Sequence, residues 1–146
     1  MVHFLVGLFT GVAVLLVHCL IFTYFLGTGR WVREVSLVYQ LPDEPLYKTT
    51  RELKRSTFPP ALFAMLATIA TAAAGAGVQL QQWSWLLHLG SATVTLLINA
   101  WAFRVEYRAL RRNEEILTGV YAEVDRVRRE RGLPSNEEAW RAESLK

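Results

Sequence analysis

The sequence predicts an all-α, polytopic membrane protein with three transmembrane helices, the third of them extended into a long cytoplasmic helix. Two charge-free gaps carry that prediction. Residues 1–29 hold no Asp, Glu, Lys or Arg, which leaves room for one span, and residues 56–103 hold none either, which leaves room for two. A third observation sets the orientation: six Lys or Arg lie between residues 30 and 55 and ten lie after residue 103. By the positive-inside rule both segments are cytoplasmic, the N-terminus is outside, and all three spans agree. The location this implies is a bacterial inner (plasma) membrane.

Residues 1–29 form the first span. Gly7, Gly11, Val14, His18 and Phe25 share a face, and the Gly7/Gly11 pair offers a flat surface for close helix approach. The segment lacks the basic start and the small-x-small site of a signal peptide, so it is expected to stay as a span. Cys19 has no second cysteine to pair with and is expected to be a buried, apolar thiol. Tyr24, Arg30 and Trp31 suit an interfacial anchor, and Gly27 and Gly29 are expected to let the chain leave the helix there. Residues 30–57 then read as a cytoplasmic amphipathic loop. Trp31, Val35 and Val38 lie on one side of a short surface helix, Pro42 and Pro45 break it, and residues 46–55 resume a helical pattern.

Residues 58–103 read as a helical hairpin. Ser56 and Thr57 before Pro59 and Pro60 have the order of a helix start, in which a hydroxyl caps and proline sits in the first turn. Ala64, Ala67, Thr68 and Thr71 make the second span thin, as suits a helix packed between two others. Gly75 and Gly77 are expected to end it, with Trp83 and Trp85 at the outer interface and Trp101 near the inner one. On the third span His88, Ser91, Thr95, Asn99, Ala102 and Glu106 fall in one sector, a polar stripe that must face protein or water because hydrocarbon satisfies no hydrogen bond. Residues 104–146 form a cytoplasmic helical tail. Leu110, Asn113, Leu117, Val120, Val124 and Val127 prolong the stripe as a coiled-coil-like seam, on which Asn113 would fix register with a second helix, from another copy or a partner. Gly132 and Pro134 stop that helix, and Ser135 with Glu138 forms a capping box for a short last one.

Candidate chemistry is sparse. There is no glycine-rich phosphate loop, no Cys/His cluster at metal-ligand spacing and no activated nucleophile, so neither catalysis nor a metal site is expected. The basic residues of the tail are interleaved with nine acids and fit an anionic membrane surface better than nucleic acid. His18 and His88 could each bind haem or a chlorin as an axial ligand. As a pair within one chain they are offset by about 13 Å along parallel helices, too far to clasp one haem. The stripe could line an ion path, with His88 as its titratable outer end, or join packed helices by hydrogen bonds. Glu106 is expected at the inner interface beside Arg104 and Arg108, which leaves the spans without a deep carboxylate.

An outside N-terminus, a cytoplasmic loop, a hairpin of spans two and three, a hydroxyl-bearing last span and a long cytoplasmic helix resemble the layout of the ExbB/TolQ/MotA stator subunits. The Gly-rich signature of their second span is absent from residues 61–74, and the loop is much shorter, so no residue role is carried over. The leading expectation is a non-enzymatic structural or assembly subunit of a larger membrane complex. It would contact the lipid bilayer, and other subunits or itself through its transmembrane faces and the helix at 104–131. Two alternatives stay open: an electron-transfer subunit that binds haem, pigment or quinone at His18 or His88, and a stator-like ion-conducting oligomer.

Overall fold

The computed structural model describes residues 2–41 and 43–145, and all its regular structure is helical. α1 runs Val2–Tyr39, α2 Asp43–Gln79, α3 Trp85–Glu130 and α4 Asn136–Ser144. The first three are long and apolar enough to cross a membrane. At 1.5 Å per residue they measure about 57, 56 and 69 Å, roughly twice the hydrocarbon thickness of a bilayer. Each therefore has an apolar half and a charged half. The C-terminal half of α1, the N-terminal half of α2 and the C-terminal half of α3 form one charged end.

This continuity corrects the loop expected at residues 30–57. Gly27 and Gly29 lie inside α1, and residues 43–57 inside α2. A helical glycine costs about 1 kcal/mol relative to alanine, which tertiary packing overrides. At Gly29 the packing is visible: a Cβ there would meet Thr50 Cγ2 at 3.4 Å, so the missing side chain lets α1 and α2 approach. Trp31 and Val35 pack against the hydrophobic core, as expected of one helix face, whereas Val38 is 71 % exposed. The turn between α1 and α2 includes Gln40 with φ +57° and a Leu41 N–H that donates to Ser36 O at 2.9 Å. The break expected at Pro42 lies outside the described residues.

Pro59 and Pro60 are likewise inside α2 and do not start it. The hydroxyls of Ser56 and Thr57 do not cap. They bond back to the Leu53 carbonyl at 2.9 Å each, and Thr57 also reaches Lys54 O at 3.2 Å. These hydroxyls reinforce the turn just before the one in which two prolines remove backbone donors. Gly75 and Gly77 do not end the helix either, which continues to Gln79. They make room for rings: a Cβ at Gly75 would lie 3.0 Å from His88 Cε1, and one at Gly77 would lie 2.5 Å from Trp83 Cε3. Trp83 itself precedes α3, whose N-cap is Ser84.

α2 packs extensively against both α1 and α3, while α1 and α3 touch each other less. The apolar halves contribute little to the buried core. In the most apolar stretch of each long helix only 6 to 17 % of residues are buried within the chain. The main hydrophobic cluster lies instead at the charged end, where Val32 and Leu41 meet Ile116, Val120, Val124 and Val127. The seam on α3 is thus covered by the chain's own α1 and α2, a correction to its expected pairing with another copy or subunit. Gly132, at φ +69°, ends α3, and the capping box of α4 forms with both Ser135 and Glu138 bonds made.

Candidate functional site

The buried polar residues gather where α1 crosses α3. His18 comes from the middle of α1's apolar half, and its side chain is completely buried. Its Nδ1 lies 2.8 Å from Glu106 Oε1 and its Nε2 lies 3.1 Å from Asn99 Oδ1. Phe103, one turn before Glu106, stacks on the imidazole with ring centroids 4.6 Å apart and planes 9° from parallel. Asn99, Phe103 and Glu106 follow at helical spacings of four and three, so a single face of α3 surrounds one residue of α1.

Hydrogen-bond bookkeeping fixes the proton on His18 Nε2. The Asn99 amide nitrogen donates to Thr95 O at 2.9 Å and to Thr68 Oγ1 at 3.3 Å, which turns its oxygen toward the imidazole. An amide oxygen can only accept, so Nε2 carries a hydrogen. Nδ1 and Glu106 Oε1 then share one further proton. With that proton on Nδ1 the pair is imidazolium and carboxylate; with it on Oε1 it is imidazole and carboxylic acid. The second carboxyl oxygen, Glu106 Oε2, is buried and has no hydrogen-bond partner among the described residues.

The same bookkeeping orders the hydroxyls on the α2–α3 contact. Thr68 donates to Ala64 O at 2.8 Å and Thr95 donates to Ala67 O at 3.1 Å. Since the Thr95 proton is committed, Thr71 is the donor in the 2.7 Å Thr71–Thr95 bond. Ala64 is fully buried there. On the other side of the site Asn113 donates to Tyr24 Oη at 3.2 Å and to Thr28 Oγ1 at 3.3 Å. Asn113 therefore fixes register inside this chain, between α3 and α1.

Glu106 is 1 % exposed and faces the bundle, while Arg104 and Arg108 beside it are exposed. The polar stripe does not act as one unit. Thr95 and Asn99 bond across helices, Ser91 bonds only to His88 O of its own helix at 2.9 Å, and His88 lies apart from His18. His88 sits against Gly75 with its Nδ1 buried and without a hydrogen-bond partner among the described residues, and its ring is 6.2 Å from that of His3. Cys19 is exposed, its sulfur 3.9 Å from Met65 Sδ, which corrects the buried thiol. Gly11 touches Thr68 Cγ2 at 3.8 Å if given a Cβ, whereas Gly7 meets nothing. Trp83, Trp85 and Trp101 are exposed, and Arg30 pairs with Glu34 at 2.8 Å on the surface.

Among the described residues no group of three or more His, Cys, Asp or Glu could hold a metal ion. Both ring nitrogens of His18 are engaged, so axial ligation of a haem there would break the bond to Glu106 or to Asn99. The side chains of Ser36, Thr50 and Thr57 are also buried and polar, which the sequence pattern alone did not mark. Compared with protein-family models, curated proteins and solved structures, the chain matches none significantly.

Proposed function

We propose that this chain is a three-span integral protein of a bacterial inner membrane, a non-enzymatic structural or assembly subunit of a larger membrane complex. Its N-terminus is outside and its charged end cytoplasmic, as the basic residues require. The observation that carries the reading is the unfilled apolar surface. Phe4, Leu8, Phe9, Leu16 and Leu20 on α1 and Leu86, Leu89, Leu96 and Leu97 on α3 are all more than half exposed. Bilayer lipid covers such side chains, but Gly7 and Gly90 are open on the same helices, and small residues of that kind suit another helix.

The test is capture of the full chain from native membranes through a C-terminal tag, after crosslinking. Reproducible, stoichiometric membrane partners that are lost in Gly7→Leu or Gly90→Leu support the reading. A monodisperse monomer with no co-purifying subunit overturns it. One observation favours the ion-handling alternative as a second reading: a carboxyl group buried in the bundle against a histidine. The absence of such a group was the main argument against it at the level of sequence. Electron transfer through His18 gains no support from a ring bonded at both nitrogens, and the half-buried His88 is the better candidate for a haem or chlorin.

A further inference from the structure

We infer that His18 and Glu106 form a proton-binding site that Asn99 insulates from the hydroxyls of the α2–α3 contact. The site goes beyond the subunit reading and does not depend on it, because the three helices of this chain bury the pair by themselves. It is built as a two-proton site. The first proton lies between His18 Nδ1 and Glu106 Oε1, 2.8 Å apart, and the pair's net charge is zero on whichever atom it rests. A second proton, taken from water, binds Glu106 Oε2 and brings the pair to a net charge of +1; its release to water restores neutrality. No electron moves and no other bond breaks.

The surroundings favour this assignment over a permanently ionised structural bridge. Oε2 is a buried acceptor that no donor meets among the described residues, where a structural carboxylate is normally satisfied at both oxygens. The groups next to the imidazole, Asn99 Oδ1 and the face of Phe103, both attract positive charge. Other charges are distant or turned away. On α1 the titratable groups nearest in sequence, Cys19 and Tyr24, are exposed. On α3 Arg104, Tyr107 and Arg108 are exposed. On α2 the antiparallel pairing of Thr68 with Asn99 brings Ala64 and Ala61 to the level of Phe103 and Glu106, and neither titrates.

Asn99 closes the site toward the α2–α3 contact. A proton crosses a chain of groups only if each can accept on one side and donate on the other, and an amide held by bonds from both ends does not do so. Asn99 thus insulates the pair from the hydroxyls of Thr68, Thr71 and Thr95.

The experiment uses the full chain in phosphatidylcholine/phosphatidylglycerol vesicles. A pH-difference infrared spectrum should contain the C=O band of a buried carboxylic acid, lost in Glu106→Gln, shifted in His18→Gln and unchanged in Glu137→Gln. A band that survives Glu106→Gln with wild-type circular dichroism overturns the site. Should Glu106→Gln not fold, ¹⁵N-histidine spectra of the His3→Gln/His88→Gln chain decide instead. Nε2 should stay protonated at every pH, and a His18 spectrum and a buried C=O band that are both constant across the titration overturn the proposal. A pH dye trapped in the vesicles tests the Asn99 insulation. Leak equal to that of empty vesicles fits the Asn99 insulator, and proton entry through the wild type that Asn99→Leu abolishes overturns it.

Discussion

Separating the two halves of the His18–Glu106 pair should cost far more than replacing both. The side chains are 0 and 1 % exposed, so truncating one strands the other with no water to turn to. Breaking a buried pair from one side costs about 3–5 kcal/mol, which sets the expectation for Glu106→Leu. His18→Leu strands Asn99 Oδ1 as well and adds about 1–3 kcal/mol for a lost buried hydrogen bond. In the double variant two apolar side chains meet, and only the Asn99 term remains. By these figures the coupling is about 6 kcal/mol or more. Neutral hydrogen bonds between membrane helices couple by about 0.6 kcal/mol and reach at most about 1.7, so the magnitude tells the two kinds of contact apart. Reversible unfolding of the four chains by sodium dodecyl sulfate in mixed micelles, followed by circular dichroism, measures the cycle. A coupling below about 1.7 kcal/mol would refute the claim that the pair is more than an ordinary packing bond.

Three further outcomes are expected. Gly77→Ala drives a Cβ to 2.5 Å from the Trp83 ring and should destabilise the α2–α3 turn by about 1–3 kcal/mol; Trp83→Ala should remove most of that penalty, and an equal penalty without the indole would show that the contact is not its cause. Ile116→Ala opens a cavity in the charged-end core and should cost about 2–5 kcal/mol in the same assay, against less than about 0.5 for Leu37→Ala at a 65 % exposed site. Equal costs would place the core elsewhere. The backbone N–H and hydroxyl of Ser135 both bond to Glu138 and hold its carboxyl below the ordinary 4.5. The cap's contribution is therefore complete above that value and is lost as pH falls through the lower, folded-state one. Amide-exchange protection factors in α4, with the intrinsic pH dependence of exchange divided out, should fall over that window and stay constant there in Glu138→Gln.

The helices were legible from charge placement, but their ends were not. Gly27, Gly29, Gly75 and Gly77 look like punctuation, since glycine tolerates turns. Each sits in a helix nonetheless, because Thr50, His88 and Trp83 occupy the space that three of them leave open. Pro59 and Pro60 misled in the same way. The inward turn of Glu106 is written in a heptad repeat. Asn99, Glu106, Asn113, Val120 and Val127 recur every seven residues and are all buried, without a break at the end of the apolar segment. On α1 His18, Phe25 and Val32 repeat with the same step through the glycines. Two unbroken heptads crossing one boundary describe a bundle that continues past it, in which a carboxylate on the seam faces inward.

By itself the sequence determined what is additive along the chain. Length, hydropathy and the positions of the charges fix an all-helical protein with three segments able to cross a membrane, and local chemistry fixes the stop at Gly132 and the cap at Ser135. Only the tertiary structure decided which side chains meet: that Glu106 turns from its arginine neighbours to His18, that Asn99 presents its oxygen and not its nitrogen, and that the seam on α3 is closed by this chain. The reason is physical. A buried charge or amide is settled by partners 81 to 89 residues away in the chain, and such pairings depend on helix crossing and register, which no local window contains.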